Sequence, residues 1–326
     1  MRAVVITKHG DPSVLNVVEV DKPKPSSTEI LVKVKATSLN RADLMQRMGF
    51  YPDPFPGAYE IPGLEFSGTV EACGADVKTW QPGDEVMGIV SGGAYAEYLV
   101  VPEMQAMSVP KNVALENAAA IPEVFITAWD ALVCQANLQP GGWALVHAGA
   151  SGVGTAAIQI CKAIGAKIIV TCSAKKRDAC LALGADLAID YKTDDFVALC
   201  MRATNNAGVN AVLDVIGGEY LNRNVAALAL KGTIVQVGLM GGGATSFNLG
   251  AMMPKRARLI TTVLRPRPLE EKIAVTQRFI GEMLPFFEIG KMRPVIDCRY
   301  DLAQIAEAHL YMESNANTGK IVIDVC

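Results

Sequence analysis

A glycine-rich turn is the clearest chemical feature of this sequence. The stretch "VHAGASGVGTAAIQ" joins a strand-like run to a helix-like run through Gly149, Gly152 and Gly154, with the spacing GxxGxG. Glycine tolerates positive φ angles and lets backbone N–H groups approach a pyrophosphate at a helix N-terminus, where the peptide dipoles favour anions. Because a strand precedes this turn and a helix and a second strand follow it, the stretch predicts a dinucleotide-binding site.

Two other chemistries for the same turn can be excluded from its residues. A nucleophile elbow, GxSxG, would need glycine at position 153, where Val153 stands. A Walker loop would need GKS or GKT after its second glycine. Ser151 is therefore expected to contact phosphate rather than to act as a nucleophile.

The stretch "IIVTCSAKKR", residues 168–177, lies where an NAD-binding fold places an acidic residue against the ribose hydroxyls. It has no Asp or Glu, but carries Ser173, Lys175, Lys176 and Arg177. A 2′-phosphate brings about two negative charges, which a hydroxyl and flanking cations would hold and an acid would repel. The pattern thus favours NADP(H) over NAD(H), with Ser173 and Lys176 as the leading candidates. The alternative is a solvated first helical turn with Ser173 as its N-cap, and both can hold together.

The elements around these motifs follow two patterns. Residues 1–110 carry short Val-, Ile- and Leu-rich runs between Pro and Gly, which predict a mostly antiparallel β-domain. From about residue 125, apolar strands alternate with amphipathic helical segments, including "YLNRNVAALAL" (220–230), as in βαβ units on a parallel sheet. A second helical stretch, 270–288, precedes a strand-like tail, 319–326. The predicted fold class is α/β, with a doubly wound parallel-sheet domain and a β-rich domain.

The composition limits the classes of protein to which this chain can belong. The 326 residues, 51% of them hydrophobic, can fill two cores, and a net charge of −3 argues against a surface built for nucleic acid or anionic membrane. No 18-residue apolar run is present, and the alternating N-terminus predicts neither a signal peptide nor a membrane span. The eight cysteines include no CxxC pair, so we expect buried thiols in a reducing, cytoplasmic compartment.

Several motifs, in order along the whole chain, resemble the medium-chain dehydrogenase/reductase family and, within it, the zinc-free quinone oxidoreductase branch. They are "SLNRADLMQRMGFYP", "IPGLEFSGTV", "AIPEVFITAWDAL", "HAGASGVG", "TCSAKK", "DYKTDDF", "QVGLMGG" and "TTVLRPRPLEEK". The resemblance implies a GroES-like catalytic domain over residues 1–122 and 292–326, and a Rossmann domain over 123–291. It also implies that NADP(H) lies in the cleft between them.

The same resemblance implies which residues contact the cofactor. Ser173, Lys176 and Tyr191 would contact the adenosine phosphate end, where the family often has Gly in place of Cys172. Asn40, Thr127 and the backbone of Gly238, Leu239 and Met240 would approach the nicotinamide. The pyrophosphate would lie against Ser151, Gly152 and Val153, and the remaining candidates for cofactor binding are Gly149, Ala150, Gly154 and Lys320.

The ligands of a zinc alcohol dehydrogenase are missing. Enzymes of that kind, in the same superfamily, need Cys and His ligands, but here "NRAD" begins with Asn40 and Leu64 stands where a "GHE" motif places His. The run of four close cysteines of a structural zinc site is also absent, and the three histidines are scattered. The sequence predicts no metal, and it predicts that His147, in a buried strand, is a hydrogen-bonded core residue.

Without a metal, the protein would hold a quinone ring against the nicotinamide and stabilise the developing oxyanion. The candidates are the Asn40 amide and the Tyr51 hydroxyl, with Asp43 orienting Asn40 or the loop backbone. For Tyr51, ordinary packing in the proline-rich loop "FYPDPFP" is the alternative.

Three functions stay open on these residues. The leading one is an NADPH-dependent quinone reductase; the second is an enone or enoyl (C=C) reductase; the third is an NADPH-binding protein with a structural or RNA-binding role. The acidic net charge and the lack of interleaved aromatic and basic residues count against RNA binding. The apolar segment "ARLITTVLRP" (257–266) resembles the edge strand through which this family pairs, so a homodimer through Rossmann edge strands is expected.

Overall fold

The computed structural model describes residues 1–55 and 57–326. Its strands are β1 (Arg2–Ile6), β2 (Leu15–Glu19), β3 (Glu29–Ser38), β4 (Glu65–Cys73), β5 (Glu85–Ile89), β6 (Tyr98–Pro102), β7 (Ala106–Ser108), β8 (Trp143–Val146), β9 (Lys167–Cys172), β10 (Leu187–Asp190), β11 (Val209–Asp214), β12 (Leu228–Gln236), β13 (Arg258–Thr261), β14 (Ile296–Asp301) and β15 (Lys320–Asp324). Its α-helices are α1 (Arg41–Arg47), α2 (Leu115–Ala118), α3 (Pro122–Trp129), α4 (Gly152–Ala163), α5 (Arg177–Ala182), α6 (Phe196–Ala203), α7 (Tyr220–Ala227), α8 (Leu269–Glu282), α9 (Leu284–Glu288) and α10 (Ile305–Glu313).

The chain divides into two compact units, the first made of residues 1–126 and 264–326 and the second of residues 127–263. The family resemblance implied a Rossmann domain over residues 123–291, whereas residues 123–126 and 264–291 group with the first unit. The reason is local packing: α8 lies against the turn Glu103–Gln105, and Gln277 donates a hydrogen bond to the Met104 carbonyl.

The first unit is built on a seven-stranded sheet. Its order is β14-β15-β3-β4-β5-β7, with β6 paired to β3, and all neighbours are antiparallel except β14 and β15. Phe66, Tyr95 and Leu99 fill its core, and α10 packs Ala308 and Met312 against the same cluster. Because β15 pairs with β3, the C-terminal strand lies next to the segment that leads into α1.

The second unit contains a six-stranded parallel sheet with the order β10-β9-β8-β11-β12-β13. Relative to the first strand of the unit this is the order 3-2-1-4-5-6 of a dinucleotide-binding Rossmann fold, so the predicted fold class is confirmed. Left-handed glycines close two of its helices, at Gly165 with φ 76° and Gly184 with φ 107°. One boundary was predicted wrongly: residues 228–230 begin β12 instead of extending α7, because Leu228 pairs with Val209.

Among the helices of residues 1–55 and 57–326, none is both long and apolar enough to cross a bilayer.

Candidate cofactor and catalytic sites

The glycine-rich turn exposes backbone at the start of α4. Ser151 is the N-cap of α4, and its hydroxyl accepts a hydrogen bond from the Gly154 N–H at 3.1 Å. A Cβ on Gly149 would lie 2.4 Å from the Cβ of Val170, and one on Gly154 would lie 2.4 Å from the Ala148 carbonyl oxygen. Larger residues are therefore excluded, and the first N–H groups of α4 are presented by bare backbone, as an anion site needs.

The predicted 2′-phosphate residues lie together at one edge of the parallel sheet. Cys172 and Asp190 are register partners at the ends of β9 and β10, and the Tyr191 N–H donates to the Cys172 carbonyl at 3.2 Å. Ser173 and Tyr191 thus follow neighbouring strands. Ser173 occupies the N-cap position of a short turn, Ala174–Lys176, but its side chain makes no capping hydrogen bond. The Ser173 hydroxyl therefore lies at the cap position but does not cap the turn, which leaves it available to a ligand.

A buried polar network fixes three strand ends of the same sheet. His147 contacts Thr171 Oγ1 at 3.0 Å and Asn224 Oδ1 at 2.7 Å, and Asn224 donates to Asp214 at 2.8 Å. Burial lowers the pKa of His147, so the ring is neutral. The prediction that His147 is a hydrogen-bonded core residue is confirmed.

The other cofactor candidates of the second unit lie in two places. Thr127 is buried on α3. Gly238 is held by Gln236, whose side-chain amide donates to the Gly238 carbonyl at 2.6 Å, and the Met240 N–H donates to the Val215 carbonyl at 3.1 Å. The side chains of Leu239 and Met240 are exposed on this ordered backbone.

In the first unit, Asn40 is at the centre of a buried network. Its side-chain nitrogen donates to Glu65 Oε1 at 2.9 Å and to the Ser38 carbonyl at 3.3 Å, and its Oδ1 accepts from Lys320 Nζ at 2.6 Å. Both amide hydrogens are therefore used within the protein. The Asn40 side chain orients Lys320 and Glu65.

Lys320 and Glu65 form a buried ion pair with Nζ and Oε1 2.8 Å apart. The other partners of the Lys320 ammonium are the Leu39 carbonyl and Asn40 Oδ1, each at 2.6 Å, so its three protons each have an acceptor. Glu65 also accepts from the Ser38 hydroxyl at 2.6 Å and from the Glu123 N–H at 2.8 Å.

Asp43 holds two backbone N–H groups. Its carboxylate accepts the Asn40 N–H at 2.7 Å and the Gly63 N–H at 3.3 Å, tying the start of α1 to the segment before β4. Burial raises the pKa of Asp43 to about 6, although the Asn40 hydrogen bond and the Lys320 charge oppose the rise. The structure thus gives Asp43 the loop contact that the sequence suggested.

Tyr51 is held by Arg265. The buried guanidinium donates to the Tyr51 carbonyl at 2.9 Å and lies 5.0 Å from the centre of the Tyr51 ring. It also donates to the Ser91 carbonyl at 2.6 Å and to Gln46 Oε1 at 2.8 Å. Burial, followed by the charge of Glu123, raises the pKa of Tyr51, so its hydroxyl stays protonated at neutral pH.

Glu123, in the first turn of α3, is a further acid of this cluster. Burial, reinforced by the neighbouring charge of Glu65, raises the pKa of Glu123 to about 8. The carboxyl is therefore mostly neutral at pH 7. The Glu123 carboxylic acid, the Tyr51 phenol and the buried Lys320 ammonium consequently lie in one part of the first unit.

These residues do not fit a zinc ion. Within residues 1–55 and 57–326, no group of three or more His, Cys, Asp or Glu side chains is arranged to hold a metal. Asn40 stands where a zinc ligand would be needed, and its side-chain oxygen accepts a hydrogen bond from the Lys320 ammonium. A cation is already present there, and it neutralises Glu65.

The structure therefore brings together four predicted residues, Asn40, Asp43, Tyr51 and Lys320. It adds Glu65, Glu123 and Arg265, which reasoning from the sequence missed. All three lie inside motifs that carried the family resemblance, "IPGLEFSGTV", "AIPEVFITAWDAL" and "TTVLRPRPLEEK". For Glu65 and Glu123, a charged residue between apolar neighbours was the signal that could have identified them, whereas Arg265 lies in a motif with several charges and gave no such signal.

Two family models match this chain. Residues 26–111 match the model described as "Alcohol dehydrogenase GroES-like domain", and residues 183–323 match "Zinc-binding dehydrogenase". The first coincides with the β-rich part of the first unit.

Individual proteins match over nearly the full length. A "Synaptic vesicle membrane protein VAT-1 homolog" of Danio rerio is 31% identical over 99% of this chain and 69% of its own length. The quinone oxidoreductase of Escherichia coli, solved in complex with NADPH, is 29% identical with a TM-score of 0.89 and covers 100% of both chains. The CurK enoyl reductase structure is 27% identical with a TM-score of 0.87 and covers 99% of this chain and 98% of its own.

Proposed function

Because the chain belongs to the medium-chain dehydrogenase/reductase superfamily, we propose that it is a zinc-independent reductase that transfers hydride from NADPH to a quinone. The observation that carries the proposal is the Lys320 ammonium, which contacts Asn40 and Glu65 where a metal-dependent relative would need ligands. A quinone accepts hydride readily, so positioning and a few oriented polar groups suffice.

We assign the cofactor to the second unit's sheet edge. The N-terminus of α4 with Ser151, Gly152 and Val153 would hold the pyrophosphate, and Ser173, Lys176 and Tyr191 would hold the 2′-phosphate end. The uncapped Ser173 hydroxyl and the absence of an acid in "TCSAKK" support NADPH over NADH. When bound, NADPH supplies the hydride. Thr127, Gly238, Leu239 and Met240 remain our proposed contacts at the nicotinamide end.

The first unit would supply the polar groups around the acceptor. Tyr51 is the proposed hydrogen-bond donor to its oxygen, because its hydroxyl is protonated and its backbone is fixed by Arg265. Asn40, whose amide hydrogens are both used, would orient Lys320, and Lys320 would provide positive potential beside the site. Asp43 would hold the loop in place.

A homodimer is part of the same proposal. β13 forms one edge of the six-stranded sheet and exposes Leu259, an arrangement that a second copy could cover. A cytoplasmic location is also proposed, since all eight cysteines, which lie within the described ranges, are free thiols.

The test is direct. Purified protein is titrated into NADPH while cofactor fluorescence is followed, and NADPH oxidation is then measured with a panel of quinones of increasing size. We expect fluorescence quenching and turnover on at least one quinone. Failure to bind NADPH, or binding without oxidation on every acceptor, contradicts the proposal.

A second candidate is an enone or enoyl (C=C) reductase, favoured by the similarity to the CurK enoyl reductase. It would use the same cofactor and the same protein groups. Turnover compared on quinones, alkenals and enoyl thioesters separates the two, because a C=C reductase would have its highest kcat/KM on one of the last two.

A further inference from the structure

Three carboxyl groups lie in the buried network of the first unit, and their surroundings differ. Asp43 and Glu65 each accept two or more hydrogen bonds from the protein. The structure gives the Glu123 carboxyl no hydrogen-bond donor among residues 1–55 and 57–326, although its backbone N–H is fixed on Glu65. Glu123 is also only partly covered, so solvent or a small molecule can reach it.

The charged groups that face Glu123 come from four elements or segments. Glu65 of β4 and Asp43 of α1 are negative and disfavour its ionisation, whereas Lys320 of β15 and Arg265, just before α8, are positive and favour it. Neither cation donates to it, because Lys320 uses its protons on Leu39, Asn40 and Glu65, and Arg265 is hydrogen-bonded to Ser91, Tyr51 and Gln46. Burial dominates and raises the pKa of Glu123 to about 8.

Its location connects it to the acceptor side of the site. The charge of Glu123 acts on the Tyr51 hydroxyl, so the two groups lie close enough to interact electrostatically. The helix start that carries Glu123 is anchored, because its N–H donates to Glu65 Oε2 at 2.8 Å. A protonated carboxyl on an anchored helix start, without a protein hydrogen-bond donor and reachable from solvent, has the properties of a general acid.

We propose that Glu123 is the proton donor of this reductase, delivering its carboxyl proton to the oxygen of the bound carbonyl acceptor. This inference rests on the proposed function. Reduction of a quinone to a hydroquinone adds two electrons and two hydrogens: the hydride brings both electrons and one hydrogen, and the second hydrogen must arrive as a proton. The Glu123 O–H bond breaks, the acceptor O–H bond forms, and the resulting carboxylate is reprotonated from water.

The experiment compares Glu123→Gln and Glu123→Asp with Glu270→Gln. Glu270 is an exposed glutamate in the first turn of α8 and serves as the matched control. With NADPH and a quinone, kcat of the wild type should be highest on the acid side and fall as pH rises through about 8, the pKa of Glu123. Glu123→Gln should lose about 100-fold or more in kcat, keep its Kd for NADPH and lose this pH dependence. Glu123→Asp should retain the fall with an intermediate kcat, and Glu270→Gln should match the wild type.

A second readout does not need turnover. Infrared difference spectra of the cofactor-free protein should contain a protonated-carboxyl C=O band that disappears around pH 8, the pKa of Glu123. The band should be missing from Glu123→Gln and present in Glu270→Gln.

The outcomes are distinguishable. If the wild type oxidises no NADPH with any acceptor, the proposed function fails, and the infrared band still reports whether Glu123 is a neutral acid. If the wild type is active and Glu123→Gln keeps its kcat and pH profile, the proton-donor assignment is overturned. If the Gln variant does not fold, an Asp variant with unchanged kcat or an absent infrared band overturns it equally.

Discussion

Lys320 and Glu65 form an ion pair inside the first unit, with 2.8 Å between Nζ and Oε1 and with side chains that are 3% and 0% exposed. Removing one partner of such a pair leaves an unpaired buried charge, whereas removing both leaves none. The pair joins the C-terminal strand β15 to β4 and, through Asn40, to the start of α1.

Lys320→Met should lower the free energy of unfolding by about 3–5 kcal/mol, because Glu65 would lose its buried counter-charge. Adding Glu65→Gln to that variant should restore part of the loss. Urea unfolding followed by circular dichroism measures both. Lys22→Met is the control, since its ion pair with Glu71 is exposed and should contribute about 1 kcal/mol or less. Equal effects of Lys320→Met and Lys22→Met would show that the buried pair is not stabilising.

The sequence predicts the parallel sheet and the glycine-rich turn well, because both depend on residues close together in the chain. The cluster around Glu65 depends on distant residues. Glu123 is 58 positions from Glu65, and Lys320 is 280 positions from Asn40. No spacing rule links them, since the β3–β4 and β3–β15 pairings create the proximity. Distant contacts also explain why residues 264–291 belong to the first unit, since Arg265 donates hydrogen bonds to the Ser91 and Tyr51 carbonyls.

Lys176→Ala and Ser173→Ala should weaken NADPH binding and leave NADH binding unchanged. A charge-assisted hydrogen bond contributes about 1.5–3 kcal/mol, so we expect Kd for NADPH to rise by about 10- to 100-fold in Lys176→Ala and less in Ser173→Ala. Lys175→Ala is the neighbouring control, because Lys175 is exposed at the same turn. Fluorescence titration with NADPH and with NADH gives two dissociation constants for each variant. If Lys176→Ala keeps the preference for NADPH over NADH, the segment is an ordinary helix start and does not bind the 2′-phosphate.

Metal removal should not affect activity. Asn40 and Glu65 are already bound to the Lys320 ammonium, so no zinc ion is needed to balance the buried carboxylate. Extended dialysis against a strong chelator should leave kcat with NADPH and quinone unchanged, and elemental analysis before dialysis should find far less than one zinc per chain. Stoichiometric zinc, together with activity lost on chelation and regained on zinc addition, would contradict this expectation.

Leu259→Lys should convert a dimer into a monomer. Leu259 lies on β13, at the edge of the parallel sheet, and is 39% exposed in a single chain. Leaving such an edge uncovered invites pairing, and a lysine there would place a charge in any interface formed along it. Leu310→Lys is the matched control, since Leu310 on α10 is 55% exposed and belongs to the other unit. Sedimentation velocity at micromolar concentration should give a dimer for the wild type and Leu310→Lys, and a monomer for Leu259→Lys. A monomeric wild type would exclude the edge-strand dimer, and a dimeric Leu259→Lys would place the interface on another surface.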